Sequence, residues 1–238
     1  MTKCVQAWHG WGFGPAVFDP LHSALADRCK LSAPALRAPE SGNFETWSGE
    51  LAAQISANEV LLGWSLGAML ALGAVAAGAR PRALVLIGAS PRFVASADWP
   101  HGLDAGTVAA FRSGVAEQPA RTLKRFLALQ TLGDSQRGAA QALLEQSLEA
   151  DATKLTPALT ALINADLRRS VGQIRVPTLL LHGEHDALMP LPAATWLDDH
   201  LPDARLVVLP QCGHAPHVTQ AHRIADALMQ FLGSLPDA

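Results

Sequence analysis

Three side chains that together can carry acyl transfer stand in this chain, each just past a short apolar run. Ser65 lies in Gly63-Trp64-Ser65-Leu66-Gly67, after Val60-Leu61-Leu62. Asp186 closes His182-Gly183-Glu184-His185-Asp186, after the run 176–181, and His214 lies in Cys212-Gly213-His214-Ala215-Pro216, after the run 205–209. A serine hydroxyl is a weak nucleophile until an imidazole takes its proton. The imidazole in turn needs a carboxylate to fix its tautomer and stabilise its charged form. The order Ser, Asp, His suits this division of labour, and three apolar runs would bring all three residues to one edge of a sheet. Glu184 is the rival acid and ranks lower because it sits nearer the end of its run.

The chemistry also needs donors for the charge that develops on the carbonyl oxygen. A serine on a tight strand-to-helix turn has strained dihedrals, and Gly63 and Gly67 leave room for strand and helix to approach. Leu66 then opens the helix, so its N–H, with the helix dipole behind it, is one expected donor. The second is the N–H of Trp11 in His9-Gly10-Trp11-Gly12, where the flanking glycines let the backbone bend. His9 is expected to hold that loop, and the Trp11 indole could wall the acyl pocket.

The elements that position these residues follow from pattern. Strands are expected at 5–8, 31–36, 60–64, 82–87, 176–181 and 205–209, and helices follow most of them, for example after His9-Gly10-Trp11-Gly12 and at 47–55, 192–200 and 219–232. Between about 99 and 170 no strand pattern occurs; helical patterns cover 104–117, 119–132, 136–150 and 154–167. Alternating strands and helices imply an α/β fold with a mostly parallel sheet, whose ligands bind at the carboxyl ends of the strands. The expected organisation is a core at 1–98, a helical cap at 99–170 and the rest of the core at 171–238.

Composition narrows the class. The chain has 238 residues, 49% of them hydrophobic, enough for one large core. A net charge of −3 gives no general attraction to nucleic acid. Residues 60–79 carry no charge over a span-like length, but glycines at 63, 67, 73 and 78 and a β-prone start favour a buried strand and helix over a membrane segment. Met1-Thr2-Lys3-Cys4 leads straight into a strand-like run, so no leader is expected. Cys4, Cys29 and Cys212 are too few and scattered for a disulfide framework and suit a reducing cytoplasm. Cys212, His214 and His217 do not make a closed ligand set, so no metal and no cofactor are expected.

With these residues in place, the chain resembles the α/β-hydrolases, and among them the pimeloyl-[acyl-carrier protein] methyl ester esterases of biotin synthesis. The resemblance is carried by His9-Gly10-Trp11-Gly12, Gly63-Trp64-Ser65-Leu66-Gly67, Ala89-Ser90-Pro91 with Trp99-Pro100, Arg125-Phe126-Leu127-Ala128-Leu129-Gln130-Thr131, Asp166-Leu167-Arg168 and His214-Ala215-Pro216. It implies a monomeric enzyme that releases methanol from a carrier-bound ester. It further implies acyl contacts from Trp11, Ser65, Leu66, Phe126, Leu127, Ala128, Leu129, Gln130 and His214. The alternative is a broad carboxylesterase acting on short free esters. Two departures stand out. The family has further residues before HGWG that form a hairpin, so the sheet should be smaller at one edge. Arg37-Ala38-Pro39-Glu40-Ser41 replaces the usual D-x-P-G-x-G-x-S loop, so the cleft wall should differ.

The resemblance also gives a meaning to the charge of the cap. Segment 112–137 holds Arg112, Arg121, Lys124, Arg125 and Arg137 against Glu117 and Asp134, a net +3 in a chain of −3. Acyl carrier protein is acidic, so Arg121, Lys124, Arg125 and Arg137 are the expected docking residues.

Overall fold

A computed structural model describes residues 4–149 and 151–236 of the chain. Met1, Thr2 and Lys3, on which the expectation about a leader rests, and Ala150, the expected end of one helix, lie outside the described residues. Six strands form one sheet in the order β2-β1-β3-β4-β5-β6: β1 (Cys4–Trp8), β2 (Lys30–Ser32), β3 (Val60–Trp64), β4 (Ala83–Ile87), β5 (Thr178–Gly183) and β6 (Ala204–Leu209). Every pairing is parallel. The chain runs from β1 outward to β2, then returns past β1 to β3. This reversal places a crevice at the carboxyl ends of β1 and β3, where ligands bind in such sheets. On the β2 side the sheet ends in a strand of three residues. The strand expected at 31–36 pairs only at Lys30–Ser32, because Pro34 has no N–H to donate to the ladder.

Before the middle of the chain the helices are α1 (Asp19–Leu25), α2 (Phe44–Ala52) and α3 (Leu66–Ala76). The α2 N-terminus is fixed by Asn43, whose Oδ1 accepts from Thr46 N–H at 2.7 Å. α2 was expected to reach Ile55. It stops at Ala52, where Gln54 and Ile55 donate to the carbonyls three residues back and tighten the last turn. β3 is buried along its whole length, as is all of α3 except its last residue, Ala76. The uncharged run 60–79 is therefore strand and helix at the centre of the core. Among the described residues no helix is long and apolar enough to cross a membrane.

Among the described residues between β4 and β5 come four α-helices without a strand: α4 (Ala105–Glu117), α5 (Pro119–Gln130), α6 (Arg137–Gln146) and α7 (Ala152–Asn164). Asp104 caps α4 and Asp151 caps α7, each carboxylate accepting a backbone N–H in the first turn (2.8 and 3.0 Å). Pro119 starts α5, where a missing N–H costs nothing. The two connections to the sheet are tied together by the Asp166-Leu167-Arg168 and Trp99 segments. The Arg168 guanidinium holds Asp166 through two bonds (2.8 and 2.7 Å), reaches Asp98 at 3.0 Å, and lies 5.8 Å from the Trp99 ring centre. Arg92 reaches the same Asp166 at 3.2 Å. The chain closes with α8 (Leu191–His200), α9 (Pro216–Thr219) and α10 (Ala221–Ser234).

A tight backbone contact of this core is at Gly67. A Cβ there would drive into the Trp8 carbonyl oxygen and lie 2.8 Å from that of His9, both rigid backbone atoms. Gly67→Ala should cost about 3 kcal/mol by overpacking and lower Tm by roughly 6–12 °C. Thermal unfolding of the variant checks this; an unchanged Tm would contradict the packing.

Candidate active site

The carboxyl ends of β3, β5 and β6 carry Ser65, Asp186 and His214, and that of β1 carries the Trp11 loop; among the described residues no hydrogen bond joins Ser65 to His214. Ser65 sits between β3 and α3 at φ 58° and ψ −119°, a backbone conformation that L side chains rarely adopt. Its N–H donates to the Ile87 carbonyl at 2.9 Å, and its own carbonyl accepts from Ala68 and Met69 at 3.0 and 3.1 Å. Gly63 permits the turn, since a Cβ there would lie 2.6 Å from the Ala68 backbone. Gly10 brings the loop after β1 against the serine: a Cβ on it would be 3.1 Å from Ser65 Cβ.

That loop is held on both sides. His9 Nε2 accepts the Leu36 N–H at 3.0 Å, which leaves the ring proton on Nδ1, 3.1 Å from the Gly10 carbonyl. Burial keeps this ring neutral by lowering its pKa, against the hydrogen bond to Gly10. The Trp11 indole donates to the Leu155 carbonyl at 2.8 Å and stands edge-on to Phe111 and Phe126, with ring centres 5.2 and 4.9 Å away. Gly12, at φ +79°, completes the bend.

Asp186 and His214 meet as the sequence suggests. His214 Nδ1 donates to Asp186 Oδ2 at 2.6 Å, while Asp186 Oδ1 accepts the backbone N–H groups of Leu188 (2.9 Å) and Met189 (2.8 Å). Burial alone would raise the Asp186 carboxyl. The adjacent His214 ring, by charge and hydrogen bond, outweighs it and holds the carboxyl below the usual range. His214 Nε2 is buried with no hydrogen-bond partner among the described residues, so nothing competes for its lone pair. Gly88, at φ +55°, makes room for the imidazole; a Cβ there would lie 3.0 Å from His214 Cε1. Trp64 Nε1 donates to the His214 carbonyl at 2.8 Å, so the residue before the serine also fixes the histidine. Glu184 is elsewhere: its carboxylate accepts Gln211 N–H at 3.1 Å on a half-exposed surface.

One residue of this cluster escaped the sequence reading. His182, fully buried on β5, places Nε2 2.6 Å from the Met189 carbonyl and 3.4 Å from Asp186 Oδ2. Its donated proton steadies the turn whose N–H groups grip Asp186. Burial lowers its pKa and keeps it neutral, although the Asp186 charge pulls the other way. The available signal was a histidine directly after the apolar run 179–181.

A cavity of about 370 Å³ lies beside the serine turn, within the size range of small-molecule sites. Trp11 and Leu66 form its inner wall; Leu36, Arg37, Leu155 and Ala158 form much of the rest. The segment 37–41, read as a departure from the family, thus does supply the cavity wall, and α7 supplies a wall that the sequence did not single out. The α5 stretch does not line this cavity. Phe126 and Leu127 are buried, Phe126 against Trp11; Ala128 is half-buried; Gln130 is fully buried. Leu129 is 38% exposed on the same outer side as Arg121, Lys124 and Arg125. Arg137 is exposed at the start of α6. Among the described residues none of these four cations makes an ion pair.

Comparison with known proteins gives the family of the chain. The model of the alpha/beta hydrolase family matches residues 7–227. The chain belongs to that family. This hydrolase is 43% identical over 229 residues to a pimeloyl-[acyl-carrier protein] methyl ester esterase of Aromatoleum aromaticum, covering 89% of this chain and 90% of the relative. It is 34% identical to the protein of the same name from Nitrosomonas europaea, over 89% and 88% of the two chains. Among solved structures, an esterase from Exiguobacterium antarcticum superposes with a TM-score of 0.87 at 22% identity, covering 98% of this chain and 92% of that one. The likeness to that structure is one of fold.

The hydrolase also buries a histidine outside the cluster. His217 on α9 packs against the rings of Trp64 and Phe18, and neither ring nitrogen has a partner among the described residues. Burial pushes its pKa down to about 3. In the unfolded chain a histidine takes up a proton near pH 6.5, so below that pH the unfolded state binds the extra proton and stability falls. The loss continues until about pH 3, where the folded state also protonates. His217→Leu should remove about 2 kcal/mol of the stability lost between pH 6.5 and pH 5, roughly 4–8 °C in Tm. Parallel melts of both proteins at the two pH values check this; equal acid sensitivity would contradict it.

Proposed function

We propose that this hydrolase is a serine carboxylesterase that cleaves the methyl ester of pimeloyl-acyl carrier protein, releasing methanol, in biotin synthesis. The observation that carries the reading is the buried 2.6 Å bond between His214 and Asp186 beside a serine at φ 58°. The likeness to esterases named for that substrate supports its identity.

In the proposed reaction Ser65 Oγ attacks the ester carbonyl while His214 Nε2 takes its proton. The oxyanion forms against the N–H groups of Leu66 and Trp11, and Asp186 stabilises the imidazolium. His214 then gives the proton to the departing methoxide. Water, deprotonated by the same nitrogen, attacks the acyl-enzyme and frees the pimeloyl carboxylate together with Ser65. No metal or cofactor enters. Residues 99–170 act as the cap over a core made of 1–98 and 171–238. In the cap, Phe126 shapes the acyl path through Trp11, against which it packs. Arg121, Lys124, Arg125 and Arg137 receive the acidic carrier protein, and Leu129 lies on that outer side. The enzyme works as a monomer in the cytoplasm.

A second reading is turnover of short free esters, for which the cavity of about 370 Å³ beside Trp11 and Leu66 has room.

Ser65→Ala should lower ester turnover by more than ~10⁴-fold; substantial residual kcat would remove the serine from the mechanism. Arg121→Glu with Arg125→Glu should lower kcat/KM for the carrier-bound ester roughly tenfold or more at low salt, with the difference shrinking as salt rises. The same variant should turn over a short p-nitrophenyl ester like wild type. Equal losses on both esters would argue against docking at α5.

A further inference from the structure

We propose that Asp134 is a positioning residue for His214, strapping the loop that carries the base to the end of α5. The proposal rests on the reading of Ser65, Asp186 and His214 as the catalytic set.

Asp134 lies in the turn between α5 and α6 and is buried, yet among the described residues it has no cation partner. A carboxylate buried without a counter-charge is costly unless its oxygens are hydrogen-bonded. Here both are used. Oδ1 accepts Gln136 N–H at 2.8 Å; Oδ2 accepts Gly213 N–H at 3.4 Å and faces the Cys212 thiol at 3.6 Å. Burial pushes that thiol up to about 12, so it remains a donor.

The strap extends on either side of the carboxylate. Ser135 N–H donates to the Gln211 carbonyl at 3.1 Å, and His214 N–H donates to the Gln130 carbonyl at 2.8 Å. Four successive residues, Gln211 to His214, are thus each bonded to the segment 130–135. The approach is close enough to require glycine: a Cβ on Gly213 would lie 2.8 Å from the Gln130 carbonyl oxygen and 2.9 Å from that of Leu132. Gln211 itself sits at φ 53°, a strained conformation for a residue with a Cβ.

The core holds the other side of the same loop, through Trp64 to the His214 carbonyl and His185 N–H to the Cys212 carbonyl at 2.9 Å. The imidazole is therefore located by two bodies, sheet and helical insertion, and Asp134 is the side chain that joins them. Both its oxygens face donors, so an asparagine would turn an N–H₂ group toward one of them. Asp134→Asn should fail almost as Asp134→Ala does, although it matches the native shape.

The test uses the full chain and a short p-nitrophenyl ester, which needs no partner. In both variants kcat should fall roughly 10- to 100-fold, as expected for a displaced catalytic group, with KM within about twofold of wild type. The far-downfield proton resonance of the His214–Asp186 hydrogen bond should shift or broaden. Leu201→Ala, a buried residue that ends α8 away from the base loop, serves as a destabilised control matched in Tm and should keep both kcat and the resonance. Asp134→Asn carries the test if Asp134→Ala does not fold. Wild-type kcat and resonance in the Asp134 variants, or the same losses in Leu201→Ala, would overturn the proposal. Ser65→Ala is assayed alongside: if it retains turnover, the catalytic reading itself fails, whatever Asp134 does.

Discussion

At Ser65 the chain holds a backbone conformation that costs of order 1–3 kcal/mol, and it does so because bare backbone surrounds the turn. Gly67 lies against the carbonyls of Trp8 and His9, Gly63 against the start of α3, and Gly10 against the serine's own Cβ. The contacts at Gly67 and Gly63 exclude a side chain, and that at Gly10 leaves little room for one. Together they force β1, β3 and α3 into one register and set the serine beside the loop expected to supply an oxyanion donor. The rest of the site is arranged around this close approach.

Charge is the second constraint. Asp186 is buried completely, and an ionised carboxylate there is stable only if its lone pairs are satisfied. Two backbone N–H groups take one oxygen and His214 takes the other, with His182 behind. His182 and His9 are kept neutral by burial, so each serves as a directional hydrogen-bonding group beside the His214–Asp186 pair.

The helical insertion has two sides with different chemistry. Its inner side sends Phe126 against Trp11 and the end of α5 against the loop of His214. Its outer side carries Arg121, Lys124 and Arg125 without ion pairs among the described residues, next to the exposed Leu129 and Leu132. The Asp98–Arg168–Asp166–Arg92 network ties its two roots together. Surface ion pairs of this kind contribute little singly, but the bidentate Arg168–Asp166 geometry restricts how the roots can turn.

The sequence by itself determined what local pattern can encode. Apolar runs ended at Ser65, Asp186 and His214; glycine spacing marked the turn; helical periodicity marked the insertion at 99–170. Each of these is set by residues a few positions apart. Where local rules conflicted, they misled: Pro34 ended a strand that hydrophobicity would have continued to Leu36. Only the tertiary structure decided that His182 backs Asp186 and that α7 and residues 35–40 wall the cavity. It likewise decided that Leu129 points outward and that Asp134 meets Gly213. These facts depend on pairs far apart along the chain, such as Trp11 with Leu155 and Trp64 with His214, 144 and 150 positions apart. A hydrogen bond between such partners is fixed by the packing of whole elements, and no local spacing records it.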